Sequence, residues 1–392
     1  MPDGAIARHL TRSDLDGDAL QAFSHSDLLD MPAETLAPAA RTGRGAVSNP
    51  KGRFERLGAI AADDGWAAIT ADLPDLPPLP TVLTKDRSRS AIVWNDSPDL
   101  GFDRAVNPYR GCEHGCVYCY ARPSHAYLGF SPGLEFETQI VFKPDVAALL
   151  EQELSRPGYV AAPMTLGSNT DPYQPVDRTL RLTRSVLEVL ERFGHPVSIV
   201  TKSAGVLRDL DILARMAKRG LVRVWLSITT LDPALARRME PRAASPARRL
   251  QAIEALSAAG VPAGVLAAPM IPGLNDMELE RILGAARTRG ARHAGYVLLR
   301  LPHELRDLFA EWLQQHMPDR AKRVLALIRE TRAGQLNDSR FGHRFIGGGP
   351  YAELLQQRFE RAWSKLGFDG RERLDCSQFT RPVPASGQLS LL

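Results

Sequence analysis

Residues 107–125 read NPYRGCEHGCVYCYARPSH, and this segment, the cysteine loop, contains three of the four cysteines of the chain: Cys112, Cys116 and Cys119. A secreted disulfide-bonded protein spreads more cysteines through a smaller chain, so this clustering indicates metal ligation. Three thiolates in one short loop can converge on a [4Fe-4S] cluster, and Gly111 and Gly115 allow the backbone to fold tightly around it. Because such a cluster has four irons, three protein ligands leave one iron open.

An open iron would decide the chemistry of the loop. It can bind the amino and carboxylate groups of S-adenosylmethionine (SAM) and pass one electron to the SAM sulfonium, whereas a fourth protein ligand would make an electron-transfer or structural cluster. A zinc site or a closed cluster is the alternative, since closed sites take four ligands and Cys376 or His114 could supply the fourth. Cys376 has no cysteine neighbour in the sequence, and we interpret it as a structural thiol.

Short β-branched segments alternate with amphipathic helical segments over residues 105–302, a pattern typical of βαβ units and a parallel sheet. With a further strand expected just before the cysteine loop, about six units predict an α/β fold, a partial TIM-like (β/α)6 barrel whose chemistry lies at the carboxyl ends of its strands. Ser245 and Asn275 are expected to cap the next two helices. The predicted strands are 163–168, 196–202, 222–228, 264–271 and 295–301.

Composition divides the chain into three predicted regions. Residues 1–90 form an irregular N-terminal extension, expected to be partly flexible, residues 91–302 form the core barrel, and residues 303–392 form a mainly helical C-terminal region. The extension carries a basic segment over residues 41–55, and we favour a solvated or barrel-packed arm over phosphate contacts for it. The basic side chains considered for phosphate contact are Arg41, Arg44, Lys51 and Arg53.

The overall composition argues against a disordered chain and against a membrane protein. Hydrophobic residues make up 44% of the chain and charged residues 24%, with a formal net charge of +4. These values are ordinary for a globular protein. The first residues, MPDGAIARHLTRSDLDGD, lack an apolar segment after a basic one, so no secretory signal is expected. We therefore expect a cytoplasmic protein without a membrane partner.

The spacing C-x3-C-x-φ-C, with φ aromatic, resembles the defining motif of the radical SAM superfamily, and Tyr118 stands at φ. Within that superfamily the chain resembles the spore photoproduct lyase-like branch, also labelled DNA repair photolyase-like. The resemblance implies an enzyme with a [4Fe-4S] cluster that cleaves SAM reductively to a 5′-deoxyadenosyl radical, and a reducing partner such as flavodoxin or ferredoxin. The segments that carry it, besides the cysteine loop, are LGSNTDPYQPVDR (166–178), IVTKS (199–203), WLSITTLD (225–232) and GVLAAPMIPGLND (264–276).

The resemblance also implies SAM-binding residues at the ends of two predicted strands. Many members of the superfamily have a GGE-like motif that receives the SAM amino group, and this sequence lacks it. Ser168, Asn169 or Asp171 would substitute, with an Asx-type turn at the strand end as the alternative. Lys202 would pair with the SAM carboxylate, although a lysine at a strand end is often merely solvated.

Further candidates follow on the next predicted strand and in the cysteine loop. Ser227 and Thr229 alternate along the strand, share a face and would bond the SAM ribose hydroxyls. Glu240 and Arg242 would bridge to SAM or substrate, or else form surface ion pairs. Tyr118, the aromatic residue of the motif, would lie against SAM.

The substrate is the feature that the sequence determines least, and no catalytic residue is assigned. Spore photoproduct lyase-like enzymes use a cysteine as hydrogen donor, and the equivalent strand end here carries Gly167, Ser168 and Asn169. We favour a macromolecular substrate, with nucleic acid as a candidate partner, from the branch resemblance and the basic segments at 41–56, 319–332 and 340–344. The alternatives are a radical SAM enzyme for a small molecule or peptide, and a non-catalytic Fe-S or zinc protein that binds nucleic acid.

Overall fold

A computed structural model describes residues 43–54, 79–370 and 373–382. These residues belong to one compact unit, Thr35–Leu392, and form a seven-stranded and a three-stranded sheet. The strands are β1 (Val82–Lys85), β2 (Ile92–Trp94), β3 (Arg104–Val106), β4 (Tyr109–Arg110), β5 (Gln139–Phe142), β6 (Met164–Leu166), β7 (Val197–Thr201), β8 (Val222–Ser227), β9 (Ala263–Met270) and β10 (His293–Leu298). The α-helices of the described residues are α1 (Glu135–Thr138), α2 (Val146–Leu154), α3 (Asp177–Leu180), α4 (Leu182–Arg192), α5 (Leu210–Lys218), α6 (Pro233–Met239), α7 (Pro246–Ala258), α8 (Leu279–Thr288), α9 (Leu305–His316), α10 (Pro318–Glu330) and α11 (Pro350–Lys365).

The seven-stranded sheet has the order β10-β9-β8-β7-β6-β3-β2. Six of its strands, from β3 to β10, run parallel, and β2 joins the edge antiparallel to β3. Within the described ranges the two edge strands do not pair with each other, so the barrel stays open. The prediction of a partial TIM-like barrel is therefore confirmed, and β3 is the strand expected before the cysteine loop.

The helices cover the outer face of this sheet, which explains the apolar character of its strands. In β8 all positions but Arg223 are buried, as expected for a parallel strand covered on both faces. The covering helices bury their apolar stripes against the sheet, for example Leu187 of α4 and Leu213 of α5. Burial of each such side chain contributes about 1.5–3 kcal/mol.

One predicted helix cap is confirmed and the other is wrong. The Ser245 hydroxyl accepts a hydrogen bond from Arg248 N at 3.4 Å and opens α7. Asn275 precedes a short 3-10 helix, Asp276–Glu278, but its side chain makes no capping hydrogen bond to it, because it turns back to the barrel strands. Its Oδ1 accepts from Ile271 N at 2.6 Å, and its Nδ2 donates to Thr229 O at 2.7 Å, which joins the ends of β8 and β9.

The C-terminal region is helical, as predicted, and packs on the last parallel strand. The buried Arg332 guanidinium donates to Leu298 O at 3.1 Å and Leu299 O at 2.7 Å at the end of β10. Leu298 N in turn donates to Phe345 O at 2.8 Å, which brings the segment after α10 to the mouth of the barrel. Among the helices described, none has the length and apolar character needed to cross a membrane.

The three-stranded sheet, with the order β1-β5-β4, anchors the cysteine loop, because β4 ends one residue before Gly111. Residues 43–54 pack beside it, with Ala46 and Val47 buried. Arg44 donates to Glu137 O at 2.8 Å, and Arg53 forms an ion pair with Glu304 at 2.8 Å. These two arginines therefore contact the protein itself.

Of the other basic residues in this segment, Lys51 is exposed, and Arg41 lies outside the described residues. Most of the predicted extension lies outside them as well. The region boundaries at residues 90 and 302 stay predictions.

Candidate active site

The cysteine loop follows β3 and β4 at the carboxyl end of the parallel sheet. Backbone hydrogen bonds hold it on two sides, from Cys112 N to Phe136 O at 2.9 Å and from Val117 N to Met239 O at 3.0 Å. Gly115 has a φ of +66°, and a Cβ atom at this position would lie 2.6 Å from a carboxylate oxygen of Glu137. Glycine is therefore required at position 115 by both the backbone conformation and the space.

A buried ion pair that the sequence did not reveal forms the base of the loop. Arg122 and Glu137 are both fully buried, with 2.5 Å between Nη2 and Oε1. Arg122 Nε also donates to Cys116 O at 2.9 Å. The Glu137 carboxylate accepts from Gly45 N at 2.9 Å and Ala46 N at 2.8 Å, so the same pair fixes the N-terminal segment against the loop.

The three cysteines of the loop are free thiols that lie close to one another. Cys112 and Cys116 are buried, and Cys119 is half-buried. Burial raises the pKa of Cys116 to about 12, and burial together with nearby negative charge, including the other two thiolates, raises that of Cys112. Thiolates gathered in this way need a bound cation to stabilise them, and an iron-sulfur cluster supplies one.

A closed zinc site needs four ligands that meet at one metal ion. Across the described part of the chain, no three His, Cys, Asp or Glu side chains are placed to hold a single metal ion. In a cluster each thiolate binds a different iron, so the three cysteines need not meet at one point. The thiols, their burial and their shared loop thus fit a cluster.

Neither residue considered as a fourth ligand is directed at the cysteines. The Cys376 thiol donates to Leu374 O at 3.8 Å, and the neighbouring Asp375 N donates to Gly220 O at 3.0 Å, just before β8 begins. Cys376 therefore lies at the amino end of the sheet, opposite the loop. His114 Nδ1 lies 3.3 Å from a carboxylate oxygen of Asp171.

Tyr118 points into a buried polar network at the end of β8. Its hydroxyl lies 3.0 Å from Thr229 Oγ1 and donates to Glu240. Glu240 also accepts from Thr229 Oγ1 at 2.5 Å and pairs with Arg249, which is 1% exposed. Burial opposes ionisation of Glu240, but the positive charges of Arg249 and Lys202 hold its pKa below the ordinary value.

Lys202 stands at the end of β7 with its ammonium 5.5 Å from the centre of the Tyr118 ring. Burial disfavours its charge, yet the negative charges of Cys116, when that thiol is ionised, and of Glu240 outweigh that effect and raise the pKa of Lys202. The ammonium is therefore a fixed positive charge beside the cysteine loop, as required for binding a carboxylate.

Asp171 is oriented toward its own strand end. Its Oδ1 accepts from Tyr173 N at 2.9 Å and Thr201 Oγ1 at 2.7 Å, and its Oδ2 accepts from Lys202 N at 2.7 Å. Burial alone would raise the pKa of Asp171, but the nearby His114 and the hydrogen bonds from Lys202 N and Thr201 Oγ1 lower it to about 2. The bond to Tyr173 N is the Asx-type turn considered as the alternative.

Ser168 and Asn169 lie at the end of β6, beside Asn107 at the end of β3. Asn107 Nδ2 donates to Ser168 Oγ at 3.1 Å, and Asn107 Oδ1 accepts from Asn169 N at 3.1 Å. The Tyr120 hydroxyl donates to Ser168 O. The sequence analysis did not identify Asn107 as a site residue, although its place directly after a predicted strand could have indicated it.

The remaining candidates separate into two groups. Ser227 and Thr229 share a face, as predicted: the Ser227 hydroxyl donates to Ala268 O at 3.0 Å, and Thr229 Oγ1, which donates its proton to Glu240, lies 3.1 Å from the same oxygen. Arg242 contacts the cysteine loop from outside, with 3.1 Å between its Nη1 and Glu113 Oε1. Glu240 and Arg242 thus have different partners, and Arg242 is not brought together with Ser227 and Thr229.

Comparison with known proteins identifies the family. The sequence pattern of the radical SAM superfamily matches residues 106–286, from the end of β3 into α8. Uncharacterized protein Rv2578c of Mycobacterium tuberculosis is 40% identical over 276 residues, which cover 70% of this chain and 77% of that protein. The chain belongs to the radical SAM superfamily. A more distant relative, uncharacterized protein MJ0683 of Methanocaldococcus jannaschii, is 28% identical over 178 residues, covering 45% of this chain and 64% of the relative.

Solved structures of radical SAM proteins share the fold. Spore photoproduct lyase complexed with dinucleoside spore photoproduct aligns with a TM-score of 0.52 at 19% identity, covering 73% of this chain and 80% of the lyase. A mutant of that lyase with bound AdoMet and the same dinucleoside gives 0.52 at 18% identity. At this level of identity the match supports the architecture, including the partial barrel, but it does not identify the substrate of this chain.

Because it belongs to the radical SAM superfamily, this chain is an enzyme, and the family implies radical chemistry that uses SAM and an iron-sulfur cluster. The chain's own residues supply a cysteine loop, a fixed cation at Lys202 and a hydroxyl pair at Ser227 and Thr229, all at the carboxyl ends of parallel strands. Sequence reasoning missed Arg122, Glu137 and Arg249 because their burial and pairing depend on residues far away along the chain.

Proposed function

We propose that Cys112, Cys116 and Cys119 bind a [4Fe-4S] cluster and that the enzyme cleaves SAM reductively to a 5′-deoxyadenosyl radical. The observation that carries this proposal is the set of three neighbouring free thiols on a loop at the carboxyl edge of the barrel. When bound, the cluster would supply the electron and an open iron for SAM. The radical would then abstract hydrogen from the substrate.

The side chains around the loop would bind and orient SAM. Lys202 would hold the SAM carboxylate, because its ammonium stays charged between Cys116 and Glu240. Ser227 would exchange its bond to Ala268 O, and Thr229 its bond to Glu240, for bonds to the ribose hydroxyls. Tyr118, whose hydroxyl is held in the buried network, would form one wall of this site.

Four of the sequence candidates, Ser168, Asn169, Asp171 and Arg242, would act differently. Ser168 and Asn169 would face the SAM amino group at the end of β6. Asp171 would act as a positioning residue, since both of its oxygens already accept hydrogen bonds. Arg242 would hold the back of the cysteine loop through Glu113.

The test is anaerobic EPR of the reconstituted, reduced protein with and without SAM, together with measurement of 5′-deoxyadenosine. We expect a [4Fe-4S]+ signal that shifts when SAM is added, and loss of the signal in Cys116→Ala. The matched control is Cys376→Ala, which should keep the cluster. An EPR signal that does not change when SAM is added, or loss of the cluster in Cys376→Ala, would favour a closed cluster.

For the substrate, we propose nucleic acid. Support comes from an aromatic and arginine surface at the mouth, where Tyr120 and Phe341 are 51% and 56% exposed. The Arg300 guanidinium lies 5.9 Å from the Tyr120 ring and 5.0 Å from the Phe345 ring, and Arg344 lies 4.9 Å from the Phe341 ring. Unpaired bases stack on such aromatic and guanidinium planes.

Binding of a labelled single-stranded oligonucleotide, followed by fluorescence anisotropy, tests this substrate class. Phe341→Ala should weaken binding about tenfold, in line with loss of one stacking contact, and affinity should fall steeply with salt. Leu354→Ala, which removes a 55% exposed apolar side chain from α11, is the control. An oligonucleotide that does not bind, or a Phe341→Ala variant that binds normally, would move the substrate to the small-molecule or peptide class.

We also propose that the electron comes from a reduced flavodoxin or ferredoxin and that the protein works in the cytoplasm. Both follow from the chemistry, because an open cluster needs a low-potential donor and reducing surroundings.

A further inference from the structure

A cavity of about 350 Å3 lies directly beside the cysteine loop, on a side that the proposed reaction does not use. It opens between the segments that follow β6, β7 and β8, and its lining, as far as the structure describes the chain, has three arginines and no aspartate or glutamate. Its lining residues that carry charge or a hydrogen-bonding side chain are His114, Tyr173, Arg178, Ser203, Arg242 and Arg248. We call this surface the arginine face.

Two of these arginines carry charge that no residue in the described ranges neutralises. Arg178 and Arg248 are exposed, and among the described residues neither forms an ion pair; Arg248 reaches only Gln251 Oε1 at 3.4 Å. Arg242 is different, since it pairs with Glu113. The arginine face therefore presents two exposed guanidinium groups over a concave surface, which attracts an anionic partner.

The arginine face also reaches the back of the cysteine loop. His114 stands between Cys112 and Cys116 in the sequence, lines the cavity and accepts a hydrogen bond at its carbonyl oxygen from Arg242 N at 3.3 Å. The cavity shares no lining residue with the aromatic and arginine surface of the mouth. A partner on this face would thus approach the cysteines without covering the mouth.

We propose that the arginine face docks an acidic one-electron donor protein, a redox carrier of the flavodoxin or ferredoxin kind. This inference rests on the proposed function, because only a redox cluster at the cysteines would need an electron there. The transfer would oxidise the donor by one electron and reduce the cluster by one electron, and no bond would form or break. Nucleic acid is the less favoured occupant, since a substrate must reach the mouth.

The experiment measures binding of purified flavodoxin to the cluster-reconstituted full-length protein by biolayer interferometry at several salt concentrations. Charge reversal in the double variant Arg178→Glu, Arg248→Glu should weaken binding about ten- to a hundredfold and remove most of its salt dependence. Arg361→Glu, on the exposed side of α11, is the control and should bind as the parent does. Arg178→Lys, Arg248→Lys keeps the charge and should retain binding, which separates charge loss from misfolding.

A second readout separates docking from the chemistry of the site. In stopped-flow mixing, reduced flavodoxin should reduce the cluster of the Glu double variant at least tenfold more slowly, whereas dithionite should reduce both proteins equally. Equal rates with flavodoxin, or equal affinities, would overturn the proposal. Weakened binding of single-stranded DNA with unchanged binding of flavodoxin would also overturn it and assign the face to nucleic acid.

Failure of the proposed function would look different. If dithionite-reduced parent protein made no 5′-deoxyadenosine, the SAM chemistry would be wrong, while the flavodoxin affinities of the parent and the variants would still report on docking.

Discussion

Replacing Arg249 with methionine should destabilise the protein strongly, because the side chain lies at the centre of the buried network. Arg249 is 1% exposed, pairs with Glu240, and donates to Ser227 O at 2.9 Å and Ala244 O at 2.7 Å. Methionine fills much of the volume but leaves a buried carboxylate and two carbonyl groups without their donor. Breaking a buried ion pair costs about 3–5 kcal/mol, and we expect a loss of about 4 kcal/mol in the free energy of unfolding.

A second substitution tests whether the charge of Glu240 causes that loss. Glu240→Gln in the Arg249→Met background neutralises the uncompensated carboxylate, so the double variant should be about 2 kcal/mol more stable than the sum of the two single losses predicts. The assay is urea unfolding of the cluster-free protein, followed by circular dichroism, with a check that the slope of the transition is unchanged.

The control for this series is an exposed ion pair of the same type. Arg289 lies 3.4 Å from Glu254, with side-chain exposures of 37% and 63%. Arg289→Met should therefore cost about 1 kcal/mol or less. If Arg249→Met costs no more than Arg289→Met, or if the effects at Arg249 and Glu240 simply add, the buried pair does not stabilise the site as argued.

Three other substitutions give separate tests. Lys202→Met should weaken SAM binding about 10–100-fold in anaerobic calorimetry, because a charge-assisted hydrogen bond is lost. The visible absorbance of the reconstituted cluster should stay unchanged. Equal SAM affinities of the parent and the variant would exclude the carboxylate contact. Gly45→Ala would put a Cβ atom 1.7 Å from Gly115 O, so the thermal midpoint and the iron bound per chain should both fall, whereas Gly284→Ala, with open space around it, should change neither. Burial lowers the pKa of His195 to about 4, against about 6.5 in the unfolded chain. Acidification from pH 6.5 to 4 therefore protonates the unfolded state first and lowers the free energy of unfolding, and His195→Gln should reduce that loss by about 3 kcal/mol. An unchanged pH profile of urea unfolding in this variant would contradict the argument.

Local patterns were enough to predict most of the barrel. The strand segments at 196–202 and 222–228 alternate with helical segments, and β7 and β8 lie within them. The spacing of the three cysteines likewise indicates the family from one short loop. Both signals are local in sequence, because hydrophobic periodicity and loop spacing depend on neighbouring residues alone.

Contacts between distant residues were harder to predict. Asn275 has the residue type and position of a helix cap, but Thr229 O and Ile271 N lie within reach of its amide and bind it instead. The three-stranded sheet was also missed, because β4 has only two residues and pairs with a strand some thirty positions later. Propensity carries little information at that length.

The sequence by itself determined the cysteine loop, the family and the alternating strands and helices of the barrel. Only the tertiary structure decided which charges meet: Glu240 pairs with Arg249 and not with Arg242, which is nearer in sequence, and Cys376 lies at the amino end of the sheet, away from the loop. The physical reason is that strand and helix patterns follow from local periodicity, whereas the partner of a buried charge depends on which distant side chain the fold brings within hydrogen-bonding distance.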